Sequence, residues 1–215
     1  MSAPSPLPPS PPAPPGQRWT THVRAGAIFL VLAILVSGFV YPLFVTAVAD
    51  VVDPGAAGGS LLYCPNGTVV GSADLAQNLS AGTLGPKLFW ARPSLTDYNT
   101  TLGADTPPGP NDPALLALLN ETIAYLHNGT SNASPTATLP YWWVVPSGSS
   151  VDPDLTPGAV LVQVLRINST SGISIAELTA LVNSHITEPP LPFLGVPFVN
   201  VLELDIALAN LEGVC

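Results

Sequence analysis

The sequence predicts one α/β (α+β) domain outside the cytoplasm, anchored by a single N-terminal transmembrane helix. Three observations predict it. Ala25 to Ala49 runs without a formal charge, long enough to supply the about 20 apolar residues that cross a hydrocarbon core. Arg18 and Arg24 precede that run, while Asp50 and Asp53 follow it; basic residues favour the cytoplasmic side. Beyond the run, helix-start signals alternate with short apolar stretches, as expected when helices pack on a small sheet.

Three regions follow. Residues 1–24 are read as a proline-rich, disordered cytoplasmic tail, because Met1 to Pro15 holds eight prolines and no charge and cannot bury a core. Residues 25–49 form the membrane helix, with Pro42 kinking or ending it near the outer boundary. Residues 50–215 form the extracytoplasmic domain. Ala47-Val48-Ala49 has the small-x-small form of a signal-peptidase site, so removal of the helix after Ala49 is the alternative. The apolar run exceeds the ~7–15 residues of a cleaved signal, which favours retention and a single-pass protein of the cell membrane.

The formal net charge is −9 and charged residues make up 9% of the 215. After Arg24 the basic residues are Lys87, Arg92 and Arg166, against fourteen acids. A nucleic-acid partner needs a basic face, so that class is excluded. Asn-x-Ser/Thr sequons begin at Asn66, Asn78, Asn99, Asn120, Asn128, Asn132 and Asn168, all after the membrane run. They predict an exported glycoprotein. Cys64 and Cys215 share the outer side, where a bridge is permitted, but their pairing stays open and Cys215, the final residue, is expected to be mobile.

Gly59 to Ser72 reads as two short strands around Pro65-Asn66-Gly67. Asp112 and Pro113 start a helix with Leu115, Leu116, Leu119, Ile123 and Leu126 on one face, ending at Gly129. Thr130 to Leu139 reads as a surface loop. A second helix starts at Thr156-Pro157 and runs towards Arg166, with Val160, Leu161, Val164 and Leu165 inward. Ser174 to Glu177 is a capping box for a third, with Ile173 stapled onto Leu178 and with Leu181, Val182 and Ile186 inward. Val199 to Leu208 alternates, with Leu202, Leu204, Ile206 and Leu208 opposite Glu203 and Asp205, and is predicted as a half-buried strand.

Phosphate loops, dinucleotide fingerprints and nucleophile elbows are missing from the sequence. His185 and Glu188, three apart, do not make a metal site. Asp152 and Asp154 read as turn and helix-start residues. Arg92, within Phe89-Trp90-Ala91-Arg92-Pro93-Ser94, is the most suggestive side chain: its fork suits a carboxylate or several carbonyls, with Asp97 as a candidate acid and Phe89 and Trp90 in the core.

Six segments in order give the chain a resemblance to a known family: GFVYPLFVTAV, GSADLAQNL, LFWARPSLTDYN, VDPDLTPGAVLVQVLRI, ISIAELTALVNSHI and GVPFVNVLELDIAL. Together they resemble the C subunit of the Kdp potassium-transporting ATPase along nearly the whole chain after residue 24. That family's Gly/Ser-rich loop before its first helix is reduced here to Gly109-Pro110-Asn111, and the proline tail, the sequons and Cys215 lie outside its pattern. The resemblance implies a non-catalytic accessory subunit with no metal or cofactor of its own. Its partners are a P-type pump subunit that hydrolyses ATP, a channel-like subunit that passes potassium, and membrane lipid. The implied roles are stabilising their assembly and raising the pump's affinity for ATP, any ATP contact coming through the pump subunit. Matching positions carried over as structural or docking residues are Tyr41, Pro42, Gln77, Arg92, Pro93, Ser94, Tyr98, Asp152, Pro157, Gln163, Arg166 and Asn200. Arg92 and Asp152 are expected to lock the outer domain, and Tyr41-Pro42 to shape the helix against the channel-like subunit. The alternative is a membrane-anchored or secreted glycoprotein binding a sugar-like ligand through Phe89, Trp90, Trp142 and Trp143.

Overall fold

The computed structural model describes residues 19–80, 83–102, 108–130, 138–191 and 193–215. The chain divides into two units, Met1–Ala57 and Gly58–Cys215. Residues 1–18 of the expected tail, and residues 131–137 of the expected surface loop, lie outside the described residues.

The first unit is one apolar rod. α1 (Trp19–Leu35) passes through a π-helical turn, Val36–Val40, into α2 (Tyr41–Val52). Apolar side chains such as Phe29, Leu32, Phe39 and Phe44 are exposed around it. The helix takes in Trp19 to Arg24, which the sequence reading assigned to the tail. It does not end at Pro42 either. A proline removes one helical N–H and crowds the carbonyl four residues earlier; here Tyr41 N–H reaches back to the Val36 carbonyl, and the wider turn absorbs the misfit. Spanning 34 residues, the rod is about 50 Å long, more than the ~30 Å of a bilayer's hydrocarbon. A short α3 (Pro54–Ala57) follows, its Ala56 N–H bonded to Asp53 Oδ1 at 3.0 Å.

The second unit opens with the expected hairpin. β1 (Leu61–Tyr63) pairs antiparallel with β2 (Val69–Ser72), with a bulge between Leu62 and Tyr63. Gly67 closes the turn at φ 84°, its N–H on the Cys64 carbonyl at 2.8 Å, a conformation that suits glycine. α4 (Pro113–Thr130) is capped by Asp112, whose Oδ1 accepts Ala114 N–H at 2.9 Å. Leu126 is buried, Leu119 and Ile123 pack on the core, and Leu116 is exposed, so the inward stripe is narrower than predicted. α5 (Tyr141–Val144) follows.

The predicted second helix is two. α6 (Pro157–Leu161) and α7 (Val164–Ser171) break at Val162-Gln163, and α7 continues past Arg166 until Gly172 caps it at φ 80°. Pro157 takes the first helical position and Thr156 the cap, without a side-chain capping bond. α8 (Ile175–Ser184) starts at Ser174, whose Oγ accepts Glu177 N–H at 3.2 Å. Leu178 and Val182 are buried, with Ile173, Leu181 and Ile186 packed against the same core.

Val199 to Leu208 is not a strand. Only Val199–Asn200 is extended, as β4, which pairs antiparallel with β3 (Asp154–Leu155); α9 (Val201–Leu211) then begins. Asn200 Oδ1 accepts Glu203 N–H at 3.2 Å, so Asn-x-x-Glu acts as a helix start. Val201, Leu204, Asp205 and Leu208 are buried, the i, i+3, i+4, i+7 stripe of a helix. The alternation of leucines was coincident with that stripe.

Cys64 and Cys215 form a disulfide that joins the hairpin to the end of the chain across a sequence separation of 151. Cys215 is therefore fixed at its sulfur. Cross-linking so distant a pair restricts the unfolded chain, an effect of about 2–5 kcal/mol. Cys64→Ser, or reduction of the detergent-solubilised full chain, is expected to lower stability by that order in denaturant unfolding. A curve that superimposes on the oxidised protein's would contradict it.

Candidate functional site

Residues 85–92 run into the core without a strand on either side. Phe89 and Trp90 are buried, with Ala91 beside them. Buried backbone groups need partners, and here side chains from distant segments supply them. Asp205 Oδ1 accepts Phe89 N–H at 2.8 Å. Gln163 Oε1 accepts Trp90 N–H at 2.7 Å, and its Nε2 donates to the Trp90 carbonyl at 3.0 Å, so one amide reproduces both bonds of a neighbouring strand. Gln163 reaches this place because the helix breaks at its position. Arg166 donates to the carbonyls of Pro86 at 2.6 Å and Leu88 at 2.7 Å, and to Gln163 Oε1 at 2.9 Å. Its guanidinium lies 4.2 Å from the Trp90 ring. Burial pulls Arg166 down to about 10, against the nearby Asp205 and Tyr125, so it remains a cation at neutral pH.

The segment then turns outward through Arg92. Nη1 donates to Asp152 Oδ2 at 2.8 Å, and Nη2 donates to the carbonyls of Val145 and Pro146, each at 3.2 Å. Arg92 thus pairs with Asp152 rather than Asp97, and Trp142 lies 5.6 Å from the guanidinium. Past Pro93, Ser94 Oγ accepts the N–H groups of Thr96 at 3.2 Å and Tyr98 at 2.7 Å. That turn holds Asp97 and Tyr98 at φ 52° and 60°, a left-handed conformation costing about 1–2 kcal/mol per residue. Tyr98 OH donates to the Arg92 carbonyl at 2.7 Å, and burial, then Tyr125 and Asp97, push its phenol well above its usual range. Tyr98 is a donor here, never a base.

The remaining expected positions are tied to the same body. Gln77 Nε2 donates to the Val70 carbonyl at 3.0 Å, lying against Gly71, where a Cβ would meet that amide. Asn200 Nδ2 donates to the Ala73 carbonyl at 2.7 Å. Tyr41 and Pro42 belong to the first unit. A pocket of about 260 Å³ opens beside the segment, lined among others by Trp90, Pro93, Ser94, Tyr98, Glu121 and Tyr125. Among the described residues no three His, Cys, Asp or Glu gather as metal ligands.

The expected ligand platform of Phe89, Trp90, Trp142 and Trp143 is not present. Phe89 and Trp143 have no exposed surface and Trp90 only 7%, leaving Trp142 alone half-exposed. The rings of Phe89, Trp90 and Trp143 fill the core, so the four do not form one exposed aromatic platform. Asp205 is the residue the sequence reading missed: it was placed on the solvent side of a strand, yet it is buried and holds Phe89. Burial drives its carboxyl well above the carboxylate range, against the Phe89 N–H and Arg166. The helix start at Asn200 was the signal that would have placed it inward.

Compared with known proteins, residues 23–210 match the family model described as KdpC: K+-transporting ATPase, c chain. A curated potassium-transporting ATPase KdpC subunit of Citrifermentans bemidjiense is 36% identical over 195 residues, covering 89% of this chain and 98% of the relative. Those of Geobacter sulfurreducens and Ralstonia nicotianae are each 35% identical over 193 residues, covering 88% of this chain and 98% and 91% of themselves. The chain belongs to the KdpC family. Within this KdpC chain, segments far apart in sequence meet at one place: LFWARPS is held by Asp152, Gln163, Arg166 and Asp205.

Two measurements check this account. Gln163→Ala leaves the Trp90 N–H and C=O without partners at about 1–3 kcal/mol each, so a loss on the order of 3 kcal/mol is expected in denaturant unfolding. Gln163→Glu, which keeps the acceptor but not the donor, should fall between. A variant as stable as the parent would show that the amide is not a strand substitute. The second concerns Asp154, half-buried, its Oδ1 without a partner among the described residues. Burial, then Asp152, Glu203 and Asp74, raise it from 3.8 to about 6, while Asn200 opposes. A raised acid keeps its proton longer folded than unfolded, so its stabilising contribution is complete below 3.8 and is lost as pH climbs through about 6. Asp154→Asn is expected to raise the melting temperature modestly at pH 7, solvent screening limiting the gain, and to leave it unchanged near pH 4. An equal effect at both values would refute the assignment.

Proposed function

We propose that this chain is a non-catalytic accessory subunit of an ATP-driven potassium importer, with its N-terminus cytoplasmic and residues 50–215 outside. The observation that carries the reading is the extent of the family match, which includes the apolar helix as well as the second unit. The relatives are named as KdpC subunits of potassium-transporting ATPases, and that assignment is extended here to this chain. The apolar, exposed surface of the Trp19–Val52 rod supports a membrane anchor. The Cys64–Cys215 disulfide supports an oxidising compartment for the second unit.

The subunit stabilises assembly of a P-type pump subunit and a channel-like potassium subunit. Arg92, Gln163 and Arg166 serve this indirectly: each is committed to backbone carbonyls or to a neighbouring side chain, so they set the shape presented to partners. Tyr41 and Pro42 place the widened turn of the helix against the channel-like subunit. Any effect on the pump's ATP affinity acts through the membrane helix and tail, because an outward domain cannot touch cytoplasmic nucleotide.

Purification of the tagged full chain from its native membrane in mild detergent, followed by mass spectrometry, is expected to recover a P-type ATPase subunit and a channel-like potassium subunit. Recovery of the chain alone, or lacking its first 49 residues, would overturn the proposal. Arg92→Ala, which removes the Asp152 pair and the carbonyl bonds, should lower both melting temperature and complex yield, and Arg92→Lys should restore only part because it lacks the fork.

A further inference from the structure

Seven Asn-x-Ser/Thr sequons do not have equal access to a modifying enzyme, and the fold separates them. At Asn66, in the β1–β2 turn, Oδ1 accepts Thr68 N–H at 2.8 Å. At Asn99, Oδ1 accepts both Thr101 N–H at 3.0 Å and Thr101 Oγ1–H at 2.7 Å. Both asparagines are exposed on irregular chain, and the third residues of the two sequons, Thr68 and Thr101, are exposed with them. Among the described residues neither Nδ2 donates a hydrogen bond, so the nitrogen that would carry a sugar is free in each.

Three others are engaged or shielded. Asn78 Nδ2 donates to Asp97 Oδ1 at 3.0 Å, while Ser80 Oγ is shared between Asn78 Oδ1 at 2.9 Å and Tyr125 OH at 2.7 Å. Asn120 is wound into α4, and its partner Thr122 is buried. Asn168 Nδ2 donates to the Ile173 carbonyl at 2.7 Å, and Thr170 Oγ1 is bonded to the carbonyls of Pro86 and Arg166, each at 3.0 Å. Asn132 lies outside the described residues and Asn128 lies in the last turn of α4, so neither carries an assignment.

We propose that Asn66 and Asn99 are N-glycosylation sites of the folded domain, and that Asn78, Asn120 and Asn168 serve the fold instead. The donor class is an oligosaccharide carried on a polyisoprenoid phosphate. Asn Nδ2 forms a bond to the sugar's anomeric carbon, and the carbon–oxygen bond to the phosphate breaks. The lipid phosphate leaves with that electron pair, and Nδ2 gives up one proton. This inference rests on the outward placement of residues 50–215, so the test reads placement and modification separately.

The full chain is purified from its native membranes and digested for site-resolved glycopeptide mass spectrometry. In parallel, intact cells are treated with protease and the second unit is followed by immunoblot. The expected result is a protease-accessible unit, hexose-series additions on the peptides of Asn66 and Asn99, bare Asn78, Asn120 and Asn168, and loss of the additions in Asn66→Gln and Asn99→Gln. An accessible unit with either Asn66 or Asn99 bare overturns the assignment of that site, and a glycan on Asn168 overturns the selection rule. A protected unit with every sequon bare overturns the outward placement, and the glycan sites with it.

Discussion

The structure depends on satisfying the backbone of residues 85–92. This stretch carries Phe89 and Trp90 into the core, but the two small sheets of the domain lie elsewhere and give it no neighbour. A buried peptide group without a partner costs about 1–3 kcal/mol, enough over several residues to undo a marginally stable domain. Gln163, Arg166 and Asp205 remove that cost, and each dictates something else. Gln163 requires the break between α6 and α7, Arg166 fixes the phase of α7 against Trp90, and Asp205 requires α9 to turn a carboxyl inward. The helices are arranged around an irregular segment that belongs to neither sheet.

The same constraint explains the distribution of charge. Of the three basic residues after Arg24, Arg166 is buried and Arg92 is mostly enclosed, each bonded to carbonyl oxygens. Lys87 is the most open of the three, its side chain 40% exposed and 3.9 Å from Glu212. Positive charge is used inside, where carbonyl groups would otherwise lack donors, and the exterior is left acidic. This is a physical reason why Arg92→Lys is not conservative: an ammonium is a point charge, whereas three carbonyl and carboxylate groups surround a fork.

Where local chemistry decides conformation, the sequence was readable. The Pro-Asn-Gly turn, the Asp112 cap and the Ser174 cap each depend on neighbours within four residues, and all three formed. Arg92 was recognisable as a fork in search of oxygens, although composition alone could not choose between Asp97 and Asp152. The errors came where two periods overlapped or where tertiary contacts decided. Leu202, Leu204, Ile206 and Leu208 fit a period of two, while Val201, Leu204, Asp205 and Leu208 fit one of 3.6; only the Asn200 cap distinguished them. The break at Gln163 had no local signal, since neither glycine nor proline marks it. Its cause lies on Trp90, 73 residues away in sequence. The aromatic platform failed for a similar reason: ring size indicates burial and binding equally well until the core is assembled.

The disulfide gives the second unit a property that folding alone does not. With Cys64 joined to Cys215, nearly the whole domain lies on a covalent circle. A single cut anywhere between the two cysteines, in an exposed loop for example, opens the circle without releasing a fragment. Such a clipped molecule keeps its mass, apart from one added water, and migrates as two pieces only after reduction. Damage of this kind can accumulate while the parts stay together.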